Sequence, residues 1–476
     1  MDRTFRYARL YQALRDLQPR GREAAVRHAG TSERGGITLR ARVFCRCRQP
    51  FRSDTVQNDQ QEIEDLQVSA RTHVRALGST EHLFWLLDQN RPTHFAMVAE
   101  IDRRFTPDAW HAAFQALQRR HPLLSTCIAT DAQRNSAFQS VPDAVVPLRV
   151  IEHGATSWQA ETAREIATRF DWSTAPLLRA TLLQRECAST LILAAHHSVL
   201  DGMGSAYLID ELLRILAGHS AAPLPLVQSL ETLLDADLND AAVLPAPRPA
   251  PAPKQFRADT ADLPRIDAVA LSAESTRRLV ARARQEQTTV HGAIAAAVHE
   301  AGRRLSSEWA TRALRTVTPI DIRDLAGEAG VANGVYITQT ITIDDHPRGI
   351  DLWTAARKIK QDLAPSQTRE SVAAELKALD TAMSARPSVD HAAGFLSNVL
   401  AFDVLLSNLG NQPISATYDG VSLDALWGPF VTSGFADDQV IGVCTIDGIL
   451  RLAHTSHCAI PGLLGEVRVI LEEAVG

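Results

Sequence analysis

The chain has 476 residues, of which 45% are hydrophobic and 22% charged. That composition describes a globular fold too large for one simple core, so two domains or one two-lobed domain are expected. A net charge of −6 gives no reason to expect nucleic acid as a partner, and no apolar run of about eighteen residues marks a membrane span.

Residues 1–52 stand apart. They hold thirteen arginines against Asp2, Asp16, Glu23 and Glu33, a balance of +9 that leaves −15 for the remainder. This head has no clean apolar period and lacks the continuous apolar segment of a secretory signal, so it reads as disordered and the expected location is cytoplasmic. Three roles are open to it: a mobile tail, an over-long gene start, or a basic arm that docks on an acidic partner. With the polar stretch 53–70 it forms an extension over 1–70. The six cysteines (45, 47, 127, 187, 444 and 458) make no disulfide framework. The C-x-C of Cys45 and Cys47 is too weak a signal for a metal, and no metal is expected.

A first lobe is expected over 71–242. His94–Asp102 reads as a strand. Thr106 and Pro107 sit where an N-cap and a first helical residue belong, and Trp110, Ala113, Phe114 and Leu117 give the helix that follows one apolar face. A second helix is expected at Ala160–Phe170. Strands at Leu177–Leu183 and Thr190–His196 are then joined by a hairpin-length connection. Five prolines between Pro245 and Pro253, with Pro264 beyond, favour extended chain, so 243–264 reads as a crossover linker. The second lobe, 265–476, opens with Ser272 as an N-cap. Its expected strands are Ala313–Pro319, Tyr336–Ile343, Val399–Leu405, Val440–Ile446 and Ile449–Thr455.

The chemistry concentrates in HHSVLDG, His196 to Gly202. Neighbouring side chains on a strand point to opposite faces, so His196 and His197 cannot both meet one substrate. A histidine at a strand end can reach a cleft, and its ordinary pKa near 6.5 suits it to accept a proton at neutral pH. Two roles are open to Asp201: orienting the imidazole, or holding the loop by pairing with an arginine, for which Arg179 is the candidate. Gly202 supplies backbone freedom that other residues lack. Adjacent histidines are more often surface or core residues than catalysts. The H-E-x-x-H zinc spacing, a G-x-S-x-G nucleophile elbow and Gly-rich phosphate loops are absent. The residues by themselves give a basic histidine in a two-lobed α/β chain and name no reaction.

HHSVLDG resembles the H-H-x-x-x-D-G motif of the condensation-domain superfamily. That group is similar in fold to chloramphenicol acetyltransferase. It includes the condensation domains of nonribosomal peptide synthetases and free-standing polyketide-associated O-acyltransferases. Phe170–Ala180 (FDWSTAPLLRA) resembles the family's F-D-x-x-x-x-P-L-x-R segment. Arg119–Thr126 (RRHPLLST) resembles R-H-P-x-L-R-T, with Ser125 where arginine is usual. LSAESTRRLV and TTVHGAIAAAV resemble the opening helices of its second lobe. TPIDIRDL, Thr318–Leu325, resembles P-V-D-x-R, and LLSNLG, Leu405–Gly410, resembles the S-N-L-G strand of the free-standing acyltransferases. The likeness runs in order over about 75–470. The D-F-G-W-G motif of plant acyltransferases is absent, Leu426–Phe430 (LWGPF) being its nearest echo. His454–Cys458 (HTSHC) reads as the last strand running into a loop rather than a metal cluster.

The resemblance implies two chloramphenicol-acetyltransferase-like lobes in a V around a central tunnel. It makes His197 the catalytic residue at the tunnel centre, with His196 packed inward and Asp201 a structural partner of Arg179. The backbone near Gly202, with Ser407 or Asn408, would lie near the developing oxyanion. It implies no bound cofactor. The donor is a thioester on phosphopantetheine, carried by an acyl or peptidyl carrier protein in trans or by coenzyme A. The expected reaction is transfer of an acyl or polyketide chain to a small alcohol, forming an ester in specialised metabolism such as antibiotic biosynthesis. The alternatives are amide formation on an amine, an epimerising domain, and a non-catalytic condensation-like binding module.

Overall fold

The computed structural model describes residues 71–476 apart from 153, 155, 235–236, 238–252, 259–261, 326, 328–332 and 347. The extension 1–70, with Cys45 and Cys47, and most of the proline run lie outside the described residues.

The first half of the chain gives β1 (Thr72–Ala76), α1 (Ser79–Asn90), β2 (Phe95–Ile101), α2 (Pro107–Arg120), β3 (Thr126–Thr130), β4 (Ser136–Ser140) and β5 (Leu148–Glu152). Then come α3 (Trp158–Ala167), β6 (Leu178–Gln184), β7 (Ser189–Ala195), α4 (Gly202–Leu216) and the short α5 (Leu230–Leu233). Thr106 caps α2 as its sequence suggests, accepting the Ala109 N–H at 3.2 Å. β2 and β7 are apolar along nearly their whole length because both faces are covered. Phe95, Met97, Leu191 and Leu193 enter the main core, while Ala96, Val98, Ile192 and Ala194 meet Ile166 of α3 on the other side.

The second half gives β8 (Arg265–Ala270), α6 (Ala273–Gln285), α7 (Val290–Leu305), β9 (Leu314–Asp321), β10 (Ile337–Asp344), α8 (Leu352–Leu363), α9 (Arg369–Ser384) and α10 (Val389–Asn398). It continues with β11 (Val404–Asn411), β12 (Thr417–Tyr418), β13 (Val421–Val431), β14 (Gln439–Ile446), β15 (Ile449–Ser456) and α11 (Leu463–Glu473). Ser272 caps α6 through the Ser275 N–H at 3.0 Å. One sheet has the order β10-β9-β11-β14-β15-β8. Its outer face packs Val404, Leu406, Ile441 and Val443 against α7, α8 and α11. Its inner face contributes Val317, Cys444 and Ile446 to the core begun by the first half. Thr72–Gly476 accordingly form one compact unit.

Two features differ from the sequence expectation. The strand placed at Val399–Leu405 begins at Val404. The apolar run Val399–Phe402 leaves α10 and crosses the core before the strand starts, so its hydrophobicity reflects burial and not pairing. Secondly, β13 leaves its own half and joins the other sheet, whose order is β12-β13-β2-β7-β6-β5. It runs antiparallel to β2, with Trp427 opposite Val98 and Phe430 opposite Ala96. The segment Thr417–Val431 of the expected second lobe thus completes the first sheet. Gly428 and Pro429 in its middle hide the strand from a reading by pattern, since proline is a mark against an inner strand.

Where β13 passes over β14 the backbones nearly touch. A Cβ added to Gly442 would lie 2.3 Å from the Pro429 carbonyl oxygen, and neither backbone can yield. Gly442→Ala is expected to destabilise by about 2–3 kcal/mol or more, through overpacking, and to lower the thermal midpoint by several degrees in a calorimetric scan.

Candidate active site

The HHSVLDG segment forms the turn between β7 and α4. Its first anchor is the His196 N–H donating to Leu177 O at 3.0 Å. A second is the Ser198 hydroxyl donating to Glu81 O in α1 at 2.8 Å. His196 is fully buried. Its Nδ1 accepts the Ser198 N–H at 3.1 Å, so its proton sits on Nε2, which lies 3.6 Å from Asp88 Oδ2. Asp88 Oδ1 also accepts the backbone N–H groups of Thr93 and His94, at 2.8 and 3.2 Å. Burial would raise the pKa of Asp88, but the imidazoles of His196 and His94 beside it outweigh it and hold the carboxyl well below its usual range. The first histidine thus packs inward and braces the turn.

His197 points the other way, into a cavity of about 1270 Å³. Its ring stacks on Phe84 at 4.2 Å and is tilted against Phe95 at 4.5 Å. Nδ1 is buried, which leaves Nε2 as the nitrogen nearer the open space. Burial is the largest influence on this imidazole and lowers its pKa to about 4, against the opposing pull of the Asp201 charge. The ring is therefore neutral at physiological pH, in the state that can accept a proton.

Asp201 is fully buried and serves three donors. Oδ1 caps α4 through the Gly204 N–H at 2.7 Å and accepts Arg323 Nη2 at 2.7 Å; Oδ2 accepts the Tyr336 N–H at 2.8 Å. The expected pairing with Arg179 does not form. Arg179 Nε donates to Glu165 Oε2 at 2.7 Å, its Nη2 donates to Thr168 O at 2.6 Å, and its guanidinium lies 4.0 Å over the Phe170 ring. The partner is Arg323, two residues beyond the end of β9, which also donates to Asp321 at 2.8 Å. Burial would lower the Arg323 pKa, but the Asp201 and Asp321 charges prevail and raise it. Arg323 is the arginine of the quoted TPIDIRDL segment, so its signal stood in the sequence; Phe84 and Phe95 stood in apolar runs that read only as core.

Gly202 opens α4 at the cavity wall, where an added Cβ would lie 2.9 Å from Leu409 Cδ2. The first N–H groups of a helix have no partner within it. The Asp201 carboxylate takes that of Gly204, leaving those of Gly202 and Met203 at the end nearest His197. Ser407 and Asn408 line the same cavity from β11, and Asn408 Oδ1 is engaged with the Gly410 N–H at 2.8 Å. The structure therefore brings His197, Gly202, Ser407 and Asn408 to one cavity, sets His196 and Asp201 behind them, and leaves Arg179 in a separate pair. His454, within β15, bonds Gln439 Oε1 at 3.0 Å. Among the described residues, no helix is long and apolar enough to cross a membrane.

Residues 84–229 match the family model of the condensation domain, and residues 260–433 match that of the phthiocerol/phthiodiolone dimycocerosyl transferase C-terminus. The phosphinothricin tripeptide synthetase PhsC of Streptomyces viridochromogenes is 32% identical over 158 residues, 30% of this chain and 14% of that one. The AMB antimetabolite synthetase AmbE of Pseudomonas aeruginosa is 33% identical over 137 residues, 27% and 6% of the two chains. The chain thus spans a small fraction of the length of these curated relatives. Polyketide synthase associated protein 5 from Mycobacterium tuberculosis superposes with a TM-score of 0.61 at 20% identity, covering 85% of this chain and 98% of that one. The first condensation domain of the calcium-dependent antibiotic synthetase gives 0.62 at 17% identity, over 84% and 96%. These likenesses establish the fold, two lobes of the chloramphenicol-acetyltransferase type, as the sequence led us to expect.

Asp201→Ala and Arg323→Ala should each destabilise the protein by about 3–5 kcal/mol, because each strands a buried charge. In double-mutant cycles followed by urea unfolding, Asp201 should couple strongly to Arg323 and by less than about 0.5 kcal/mol to Arg179.

Proposed function

We propose that the chain is an acyltransferase of the condensation-domain superfamily, and that it moves an acyl or polyketide chain from a phosphopantetheine thioester to a small alcohol, forming an ester. The observation that carries this reading is a neutral, desolvated His197 in a cavity walled by both halves of the chain, beside the open N-terminal turn of α4. The acceptor oxygen attacks the thioester carbonyl carbon while His197 Nε2 takes its proton. The carbonyl oxygen becomes an oxyanion, which the Gly202 and Met203 N–H groups and the positive end of α4 stabilise. Collapse breaks the C–S bond, and the departing thiolate recovers the proton from His197. Ester and free thiol balance the reaction, and no acyl-enzyme is needed. Ser407 lies on the same wall and would help to place the reacting group. His196, Asp88 and Asp201 hold the turn in position.

The C-terminal match to a dimycocerosyl transferase and the S-N-L-G likeness of β11 favour an oxygen acceptor. The matches of the first half to peptide synthetases favour amide formation on an amine as the second reading. The donor is proposed to arrive on a carrier protein in trans, with coenzyme A as the other source.

Intact-mass spectrometry of an acyl-loaded carrier protein, mixed with the enzyme and a panel of alcohols and amines, tests both readings. Loss of the acyl mass with appearance of an ester is expected for the wild type. An amide product would select the second reading, and no reaction from either the carrier or acyl-coenzyme A would favour a binding module. His197→Ala should lower the rate by about 10²–10⁴-fold.

The pH profile supplies a further check. A base whose pKa is lowered is active in its neutral form down to lower pH. kcat/KM should therefore rise with pH through about 4 and stay level to neutrality, whereas an unperturbed histidine would place that limb near about 6.5.

A further inference from the structure

β10 ends its sheet, and among the described residues nothing pairs with its outer edge. Yet every residue from Ile337 to Ile343 lines the His197 cavity. Side chains alternate between the faces of a strand, so both sets border one cavity only where the strand turns its edge to it. Two of the polar side chains here are engaged elsewhere. Thr338 donates to Glu375 Oε2, and the Thr340 hydroxyl shares a hydrogen bond with that of Ser366 at 2.8 Å. Besides its remaining side chains, the strand offers the cavity its main chain.

The register identifies which peptide groups face outward. The Ile322 N–H donates to Tyr336 O at 2.9 Å, and the antiparallel ladder continues without a break from Ile337 opposite Asp321 to Asp344 opposite Leu314. Bonded and non-bonded pairs alternate in such a ladder. The peptide groups of Thr338, Thr340 and Thr342 thus turn to β9, and those of Ile337, Gln339, Ile341 and Ile343 turn to the cavity. Pro319 agrees with this assignment: it has no N–H to give, and it lies opposite Gln339 at a non-bonded position.

The strand also runs in a useful direction. At its start, the Tyr336 N–H bonds the Asp201 carboxylate that caps α4 beside His197. At its far end, roughly 24 Å on, the exposed Asp345 and the half-exposed Lys358 border the same cavity. A row of outward peptide groups thus leads from the reacting centre to solvent.

We propose that the outer edge of β10 binds the pantetheine portion of the thioester donor as an added strand, pairing the arm's two secondary amides with the peptide groups of Gln339 and Ile341. Pantetheine is an extended chain in which two amides are separated by two methylenes and carry little side-chain character. It suits an edge that presents a row of backbone groups. The inference rests on the acyl-transfer reading and adds how the donor's arm is held and by which end it enters. Both sources of the arm, coenzyme A and a carrier protein, share this chemistry.

The test compares an acyl-pantetheine with the ethyl thioester of the same acid, which has no amide. Gln339→Pro removes one outward N–H and no ladder bond. It should reduce the preference in kcat/KM for the pantetheine donor by about fivefold, the value of one hydrogen bond. Ile341→Pro should do the same, whereas Gln339→Ala, with its N–H intact, should keep the preference. Activity with the ethyl thioester reports folding in each variant. Hydrogen exchange of the wild type supplies a readout free of catalysis: coenzyme A or a phosphopantetheine-bearing carrier protein should protect peptides covering 337–343, and the one that protects at lower concentration is the source. An unchanged preference in both proline variants, or no protection of β10 by either ligand at millimolar concentration, overturns the proposal. Protection in a wild type that transfers no acyl group would uphold the strand edge and reject the acyl-transfer reading instead.

Discussion

The buried carboxylate of Asp201 is the constraint on which the site depends. It caps the helix that follows the histidine turn, it pairs with Arg323 from the other half of the chain, and it accepts the Tyr336 N–H that begins β10. Taking two charges out of water is costly, and a buried pair is weak evidence for net stability. What the arrangement supplies is registry. The helix N-terminus, the turn that follows β9 and the start of β10 are each placed by the same two oxygens. No one of them can shift without leaving a charge or a peptide group unsatisfied.

A second layer of constraint lies behind His197. His196 and Asp88 tie the turn to α1, and α1 carries Phe84, whose ring covers one face of the His197 imidazole. The group that positions the histidine and the group that keeps it dry are therefore parts of one buried unit. The low pKa of His197 is the electrostatic result of that enclosure.

Much of this was legible in the sequence. Thr106 and Ser272 announce helix starts by a local hydrogen bond, and local chemistry is what a sequence displays. The opposite fates of His196 and His197 follow from the two-residue period of a strand, and the motif likeness located the second of them in the cavity. The partner of Asp201 was not legible by position. Arg179 lies close by in the chain, whereas Arg323 is 122 residues away in the other half, and pairing at that distance is decided by how the sheets meet. Ser407 and Asn408 proved to sit well inside β11 because the apolar run before it is a core crossing. The exchange of β13 was hidden by the Gly428 and Pro429 pair, which suits the close pass over Gly442 and reads as a break.

That exchange bears on how molecules enter. β13 belongs by sequence to one half and by hydrogen bonding to the other, so the halves cannot swing apart as a clam does without stripping β13 from β2. Widening the cavity by parting the halves would cost the whole β13–β2 ladder, so this seam holds the cavity walls at a fixed separation.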